Sequence, residues 1–309
     1  MKDGLLTCLA VVSMAAVVVP LAVQGPLTLA SSSVSTGSSR LRSDTNLVLI
    51  DATVVDGDDR VMGNLREDQF RLFEDRKEQH VKSVTVEEGP ISLVVVFDAS
   101  GSMRRSLGKQ RAALDALLGS LRPDDEVALV TFRDRPVLAK EFRQDGDWIR
   151  AALEGSEAKG GTALLDAMVL AMDTLKEAGL RRRAVVLFTD AGERNSRYSW
   201  GEVRKMAREC DGRLSAFVTW SPADDHQLNK GALQGIVNDT GGRLFENDGS
   251  GPRLLEQVSR LELHAQYVLA YTPGNAERDG RFRHVVVELQ DAPKHSKVFW
   301  KHGYFAPTE

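Results

Sequence analysis

Apolar positions fall along this chain in two rhythms. Leu93-Val94-Val95-Val96-Phe97 and Val185-Val186-Leu187-Phe188 are β-branched runs with no polar face, the pattern of strands covered on both sides. Leu107, Ala112, Leu114, Leu117, Leu118 and Leu121 instead recur at helical spacing and predict a helix over 103–121, which Arg122-Pro123-Asp124-Asp125 breaks. The same alternation continues to Leu263. It predicts strands at 126–132, 136–142, 183–189, 214–220 and 243–246, and helices at 148–153, 164–178, 200–209, 225–239 and 253–263. Repeated strand and helix means a doubly wound, mostly parallel α/β sheet with right-handed crossovers.

The flanks read differently. Asn46 to Val55 is strand-like and ends in the turn Asp56-Gly57-Asp58, and a helical turn follows around Arg66 to Phe70. Arg71 to Glu74 and His80 to Val86, joined through Asp75 to Gln79, predict a hairpin. Beyond Ala265 strands return at 267–271, 282–289 and 297–300, ahead of Gly303-Tyr304-Phe305. Either set alone has too few strands to be stable. The expectation is therefore one small β-sandwich of N- and C-terminal strands (45–88 and 265–309) with the α/β domain (89–264) inserted in it.

Composition narrows the function. A chain of 309 residues, 42% apolar and 27% charged, can bury a full core. A formal charge of −4 offers no long-range attraction to nucleic acid or anionic lipid, so no nucleic-acid partner is expected. Leu5 to Val23 is almost wholly apolar behind Lys2, the layout of an export signal (1–30) with a small-residue cleavage site near Ala30, or of an uncleaved membrane anchor. Ser31 to Ser43 reads as a tether within 31–44. Either reading puts the body outside the cytoplasm: periplasmic, membrane-anchored or extracellular. The cysteines are Cys8 and Cys210, so the body holds no internal disulfide.

The candidate chemistry begins where the first buried run stops. Asp98-Ala99-Ser100-Gly101-Ser102 follows Phe97, and in a parallel sheet the carboxyl end of a strand opens onto the ligand crevice. Hard oxygen ligands two residues apart in a tight turn suit a magnesium-class ion. Asp98-x-Ser100-x-Ser102 resembles the metal-ion-dependent adhesion site of von Willebrand factor type A domains. That family also has a threonine in a later Gly-rich loop and an aspartate after a later buried strand. Gly160-Gly161-Thr162 and Phe188-Thr189-Asp190 match both. The resemblance implies direct ligation of Mg²⁺ or Mn²⁺ by Ser100, Ser102 and Thr162, with Asp98 and Asp190 coordinating directly or through water. It also implies a protein partner whose Asp or Glu side chain takes the outward position. Where the family often has Gly after the last aspartate, this chain has Ala191. The flanks, including Leu65, Glu67-Asp68-Gln69-Phe70, Phe73-Glu74-Asp75, Tyr271-Thr272-Pro273, Asp279-Gly280 and Gly303-Tyr304, resemble exported type A-related proteins of acidobacteria.

Each residue also has a plainer reading. Asp98, Asp190 or Thr162 could cap the helix that follows, and Ser100 and Ser102 could be turn residues. Ser106-x-x-Lys109 lies within a predicted helix and lacks the partner motifs of a serine-lysine acyltransferase. His226, His264, His284, His295 and His302 show no ligand spacing and read as surface residues. Arg181-Arg182-Arg183 reads as a solvated turn; Trp220, Phe245, Trp300 and Phe305 as core; and Tyr198 and Trp200 as core or as part of a binding face. The expectation is a non-enzymatic adhesion-type module. Its rivals are a metal-assisted hydrolase and a structural envelope component with a vestigial site.

Overall fold

The computed structural model describes residues 47–219, 227–246 and 263–308. The export segment, the tether, Trp220, His226 and nearly all of the helix expected over 253–263 lie outside the described residues.

The fold class is as expected. A six-stranded sheet has the order β10-β9-β8-β5-β6-β7. Its strands are β5 (Ile91–Asp98), β6 (Glu126–Phe132), β7 (Pro136–Gln144), β8 (Arg182–Thr189), β9 (Arg213–Val218) and β10 (Leu244–Glu246). All neighbours are parallel except β7, which runs antiparallel to β6 at the edge. Among the described residues, five helices cover the two faces: α1 (Leu107–Leu118), α2 (Asp147–Leu153), α3 (Leu164–Lys176), α4 (Trp200–Glu209) and α5 (Gln227–Asp239).

The apolar run of β5 is explained by this double cover. Val94 and Val96 pack into a core with α3, α4 and α5, whereas Leu93, Val95 and Phe97 enter a second core with α1 and α2. Every residue of β5 is buried. Because β6 lies on one side of β5 and β8 on the other, the chain reverses direction of travel across the sheet at β5. The carboxyl end of β5 is thus a topological switch point, where a crevice forms between departing loops.

The flanking strands form two four-stranded antiparallel sheets. One has the order β13-β1-β11-β4 and the other β14-β12-β2-β3, using β1 (Val48–Val55), β2 (Phe70–Glu74), β3 (Lys77–Gln79), β4 (Val81–Glu88), β11 (Ala265–Tyr271), β12 (Phe282–Leu289), β13 (Lys297–Trp300) and β14 (Gly303–Phe305). Each sheet mixes strands from both ends of the chain, and Ile50, Leu72, Leu269, Val285 and Val287 share one core. Within it the buried Glu74 carboxylate accepts hydrogen bonds from the Tyr271 and Tyr304 hydroxyls at 2.7 and 2.8 Å. Burial and the neighbouring Glu74 both push the Tyr271 hydroxyl far above its ordinary pKa, so it remains a donor.

Three expectations are corrected. The hairpin is smaller: β2 returns through Asp75 and Arg76, both in the left-handed region, to β3, while β4 crosses to the other sheet and pairs with β11. His264 is not a surface residue. It is buried and bonds through Nε2 to Asp125 Oδ2 at 2.7 Å, and Asp125 Oδ1 accepts the Ile91 N–H at 2.9 Å. Nor is Arg181 to Arg183 simply a solvated turn. The Arg182 guanidinium donates to the carbonyls of Glu87 and Leu263, clasping the two places where the chain crosses between sandwich and α/β domain.

A second joint fixes α4 and α5 to the sandwich. Asp239 Oδ2 accepts hydrogen bonds from Arg204 Nε and Arg208 Nε at 2.7 Å each, His302 Nδ1 lies 3.8 Å from Oδ1, and the His302 N–H donates to the Asp239 carbonyl. Burial alone would raise the Asp239 pKa, but His302, Arg204 and Arg208 outweigh it and hold the carboxyl far below its ordinary range.

Two stability tests follow from these contacts. Tyr271→Phe leaves the buried Glu74 one donor short and should cost about 1–3 kcal/mol in urea unfolding; an unchanged midpoint would contradict the role given to the phenol. Asp239→Asn should cost about 2 kcal/mol at pH 7. A depressed folded-state pKa contributes stability above the unfolded value near 4 and loses it as pH falls below that, so the gap between wild type and Asn variant should close below about pH 4. A gap independent of pH would refute the electrostatic origin.

Candidate metal centre

Four loops meet at the carboxyl end of the sheet. The first follows β5. Asp98 is fully buried, with Oδ1 accepting the Ser100 N–H at 2.9 Å and Oδ2 accepting the Thr189 hydroxyl at 2.7 Å. The Ser100 and Ser102 hydroxyls lie 3.0 Å apart. A 3-10 turn, Gly101–Arg105, carries the chain on to α1 in place of the first part of the expected helix. The second loop follows β6. Its Phe132 carbonyl accepts the Ala99 N–H, and its Arg133 carbonyl accepts the Ala163 N–H.

The third loop, 159–163, bonds to the first through Gly101 N–H to Gly160 O at 3.0 Å and Lys159 N–H to Ala99 O at 3.0 Å. Its two glycines sit against polar side-chain ends, and the first has a left-handed backbone. Gly160 has φ +84°, and a Cβ there would lie 2.5 Å from Asp134 Oδ2; a Cβ on Gly161 would lie 2.4 Å from Asn195 Nδ2. The fourth loop follows β8. Arg194 and Asn195 donate their N–H groups to the Thr162 carbonyl, each at 3.0 Å. The loop that carries Thr162 is therefore bonded to both the Asp98 loop and the Asp190 loop.

The plainer readings hold in part: Ser100 stands at the cap position of the 3-10 turn and Ser102 lies within it. Thr162 caps nothing: α3 has Ala163 at its cap position without a side-chain bond, and the exposed N–H groups of Leu165 and Asp166 go to Glu193 Oε2 and Ser196 Oγ. Ser100 makes no capping bond to the turn it precedes. Asp190 accepts the Gly192 N–H through Oδ1 at 2.9 Å, but its Oδ2 is buried with no hydrogen-bond partner. An unpartnered buried carboxylate oxygen normally costs several kcal/mol, a cost that a cation or an ordered water would relieve.

The electrostatics point the same way. Burial, followed by the negative charge of Asp190, pushes the Asp98 carboxyl up to about 7, against weaker opposition from the Ser100 and Thr189 donors. No ion pair to Asp98 or Asp190 occurs among the described residues. Two buried carboxylates and three hydroxyls are a hard-oxygen donor set, and a divalent cation would supply the missing counter-charge. The residues fit the ion.

Ala191 carries the strain of this arrangement. It is fully buried at φ +61°, a conformation that costs a non-glycine residue roughly 1–2 kcal/mol. Its N–H bonds to the Thr189 hydroxyl, and its carbonyl accepts from Asn229 Nδ2 of α5. The turn thus adopts with alanine the backbone that glycine would adopt more readily.

Sequence reasoning missed the supporting residues. Thr189 orients Asp98; Asp134 Oδ1 accepts the Gly161 N–H at 2.7 Å; Glu193 accepts from Leu165, from the Ser196 N–H and from the Ser196 hydroxyl. Polar residues at or just beyond the end of a buried strand are the available signal for Thr189 and Asp134, but their partners lie far away in sequence. Tyr198 and Trp200 are half-buried against the core of α3 and α4. The expected ligands do not all touch: Asp98, Ser100 and Ser102 share one loop, while Thr162 is linked to them through backbone bonds.

Comparison with known proteins bears on the same segment. The family model described as "von Willebrand factor type A domain" matches residues 93–193. Inter-alpha-trypsin inhibitor heavy chain H4 of Homo sapiens is 30% identical over 185 residues, covering 53% of this chain and 19% of that protein. The chain spans about a fifth of the length of the curated relatives it matches. Among solved structures, a von Willebrand factor type A protein from Catenulispora acidiphila aligns over 86% of this chain and 75% of its own, at 12% identity and a TM-score of 0.46. The conserved hypothetical protein BatB from Bacteroides thetaiotaomicron aligns over 55% of this chain and 98% of its own, at 21% identity and a TM-score of 0.45. From the Leu93 strand to the Glu193 loop, this chain is similar to von Willebrand factor type A domains.

Proposed function

We propose that the protein is a non-enzymatic, extracytoplasmic binding module that recognises a carboxylate of a protein partner through Mg²⁺ or Mn²⁺ held by Asp98, Ser100, Ser102, Thr162 and Asp190. The observation that carries this reading is the buried, unpartnered Asp190 Oδ2 beside the buried Asp98 carboxylate. When bound, the ion neutralises the two aspartates and offers an outward position to an acidic side chain.

The chain's own residues set up that role. Thr189 and the Ser100 N–H hold Asp98 in one orientation, and the Gly160-Gly161 loop brings Thr162 to the rim without a side chain in the way. The other acids nearby are already engaged: Asp134 with the Gly161 N–H, Glu193 with the start of α3. They act as scaffold, which favours a binding role over a hydrolytic one. The apolar segment Leu5 to Val23 supports export. Among the described residues no helix is long and apolar enough to cross a membrane.

Titrating Mn²⁺ into wild type by calorimetry should give a single saturable site, and Asp190→Ala should weaken it at least about tenfold. The same variant should lose divalent-dependent capture of its partner from an envelope extract. Capture that persists in chelator, or Mn²⁺ binding unchanged by the substitution, would overturn the proposal. Asp98→Asn tests the electrostatics separately. With the buried like charge gone, the variant should be about 1–2 kcal/mol more stable than wild type in chelator at pH 8, yet gain nothing from added Mg²⁺. Lower stability than wild type in chelator would show that the two carboxylates do not oppose each other.

A further inference from the structure

The loops that hold the candidate ligands also carry charge that the metal does not use. Arg104 and Arg105 follow Ser102 in the 3-10 turn, and Arg133 and Arg135 flank Asp134 after β6. Lys159 opens the third loop, and Arg194 and Arg197 follow Glu193 after β8. Apart from Asp98 and Asp190, the acids here are Asp134, Glu193 and, just before the third loop, Glu157. Seven cations against three anions leave an excess of four positive charges at this end of the sheet, in a chain whose formal charge is −4. A divalent ion would cancel Asp98 and Asp190, so an approaching molecule would meet the excess.

Pairing within the protein accounts for only part of that charge. Lys159 lies 3.7 Å from Glu157, and Arg197 Nε bonds to Asp166 at 3.0 Å. Asp134 and Glu193 accept from the backbone N–H groups of Gly161 and Leu165 and pair with no arginine. The guanidiniums of Arg104, Arg105, Arg133, Arg135 and Arg194 have no hydrogen-bond or ion-pair partner among the described residues. All but Arg133 are exposed. Backbone bonds and short spacings fix these five around the candidate ligands. Arg104 and Arg105 stand two and three residues beyond Ser102. The Arg194 N–H donates to the Thr162 carbonyl at 3.0 Å, and the Arg133 carbonyl accepts the Ala163 N–H at 2.7 Å.

We propose that the element recognised at this site is a short, extended acidic segment of a partner protein, with one carboxylate on the ion and the acids two residues before or after it paired with these arginines. This partner belongs to the metal-bridged binding proposed for the site, on which it rests. Side chains on one face of an extended segment repeat about every 6.6 Å, which carries the flanking acids from the ion out to the arginines on the surrounding loops. Planar guanidiniums take carboxylates in pairs of charge-assisted hydrogen bonds. Each exposed pair contributes modestly, so selectivity for the segment comes from several acting together. The same field steers an acidic partner toward the ion. Outside this rim the chain sums to −8, the formal −4 less the four positive charges, which repels a long polyanion. A short acidic segment fits where nucleic acid or a sulfated polysaccharide does not.

The test is surface plasmon resonance on the immobilised full chain in saturating Mg²⁺. Two peptides of equal length in a glycine-serine host are compared, one with a single glutamate and one with glutamates at three alternate positions. Wild type should bind the second about tenfold more tightly, and added salt should shrink that ratio. Arg135→Gln combined with Arg194→Gln should cut the ratio to about threefold or less. Mn²⁺ titrated by calorimetry should bind this double variant at least as tightly as wild type, because positive neighbours are gone, and that binding shows the variant folded. Equal affinity of wild type for the two peptides, or a ratio untouched by the double substitution, overturns the acidic segment and leaves the metal reading standing. Binding of the three-glutamate peptide as tight in chelator as in Mg²⁺ overturns the metal reading, and the bridged segment with it. Heparin bound as tightly as that peptide would assign the rim to polyanions in general and overturn the assignment, as would no binding of either peptide.

Discussion

Two carboxylates that repel each other are held together out of water at the switch point of the sheet. Asp98 and Asp190 close two adjacent parallel strands, and the strand pairing that makes the core also forces these ends side by side. Neither acid is exposed, neither has an ion pair among the described residues, and one oxygen has no partner at all. Burying like charges in this way lowers stability. Apolar packing on both faces of β5 and β8 overrides that cost, and a bound cation would relieve it.

The loops around the pair follow from that demand. Gly160 and Gly161 let the backbone before Thr162 pass close against Asp134 and Asn195. Thr189 takes one oxygen of Asp98, the Ser100 N–H takes the other, and Glu193 and Ser196 take over the helix-capping duty that would otherwise occupy Thr162. The strained φ at Ala191 belongs to the same economy: backbone energy is stored where the Asp190 turn must keep its shape. At the far end of the sheet Arg182, Asp125, His264 and Asp239 bond the α/β domain to the sandwich.

Much of the fold was legible because it rests on local pattern. The two-sided burial of β5 and β8 shows as unbroken apolar runs, and the helices show as periodic stripes. The five candidate ligands could be picked out because Asp-x-Ser-x-Ser follows a strand end directly and the later Thr and Asp sit at matching places in later loops. What could not be read depends on contacts between distant segments. The partner of β4 is β11, far along the chain, so local pattern predicts a longer hairpin than the one that forms. His264 looks like any polar residue near a domain boundary until Asp125 is folded against it, and Arg182 looks like part of a basic run until its carbonyl partners arrive from Glu87 and Leu263. Thr189 and Asp134 act through geometry that no spacing encodes.

The central proposal is that the buried Asp98 and Asp190 carboxylates, with the hydroxyls of Ser100, Ser102 and Thr162, hold a hard divalent ion. Anomalous diffraction from crystals grown with Mn²⁺ tests it most directly. A single strong peak within coordination reach of the Ser100, Ser102 and Thr162 hydroxyls, with Asp190 Oδ2 turned toward it, is the expected result. A map with no peak there at saturating Mn²⁺, or with the two carboxyls sharing a proton in its place, would contradict it.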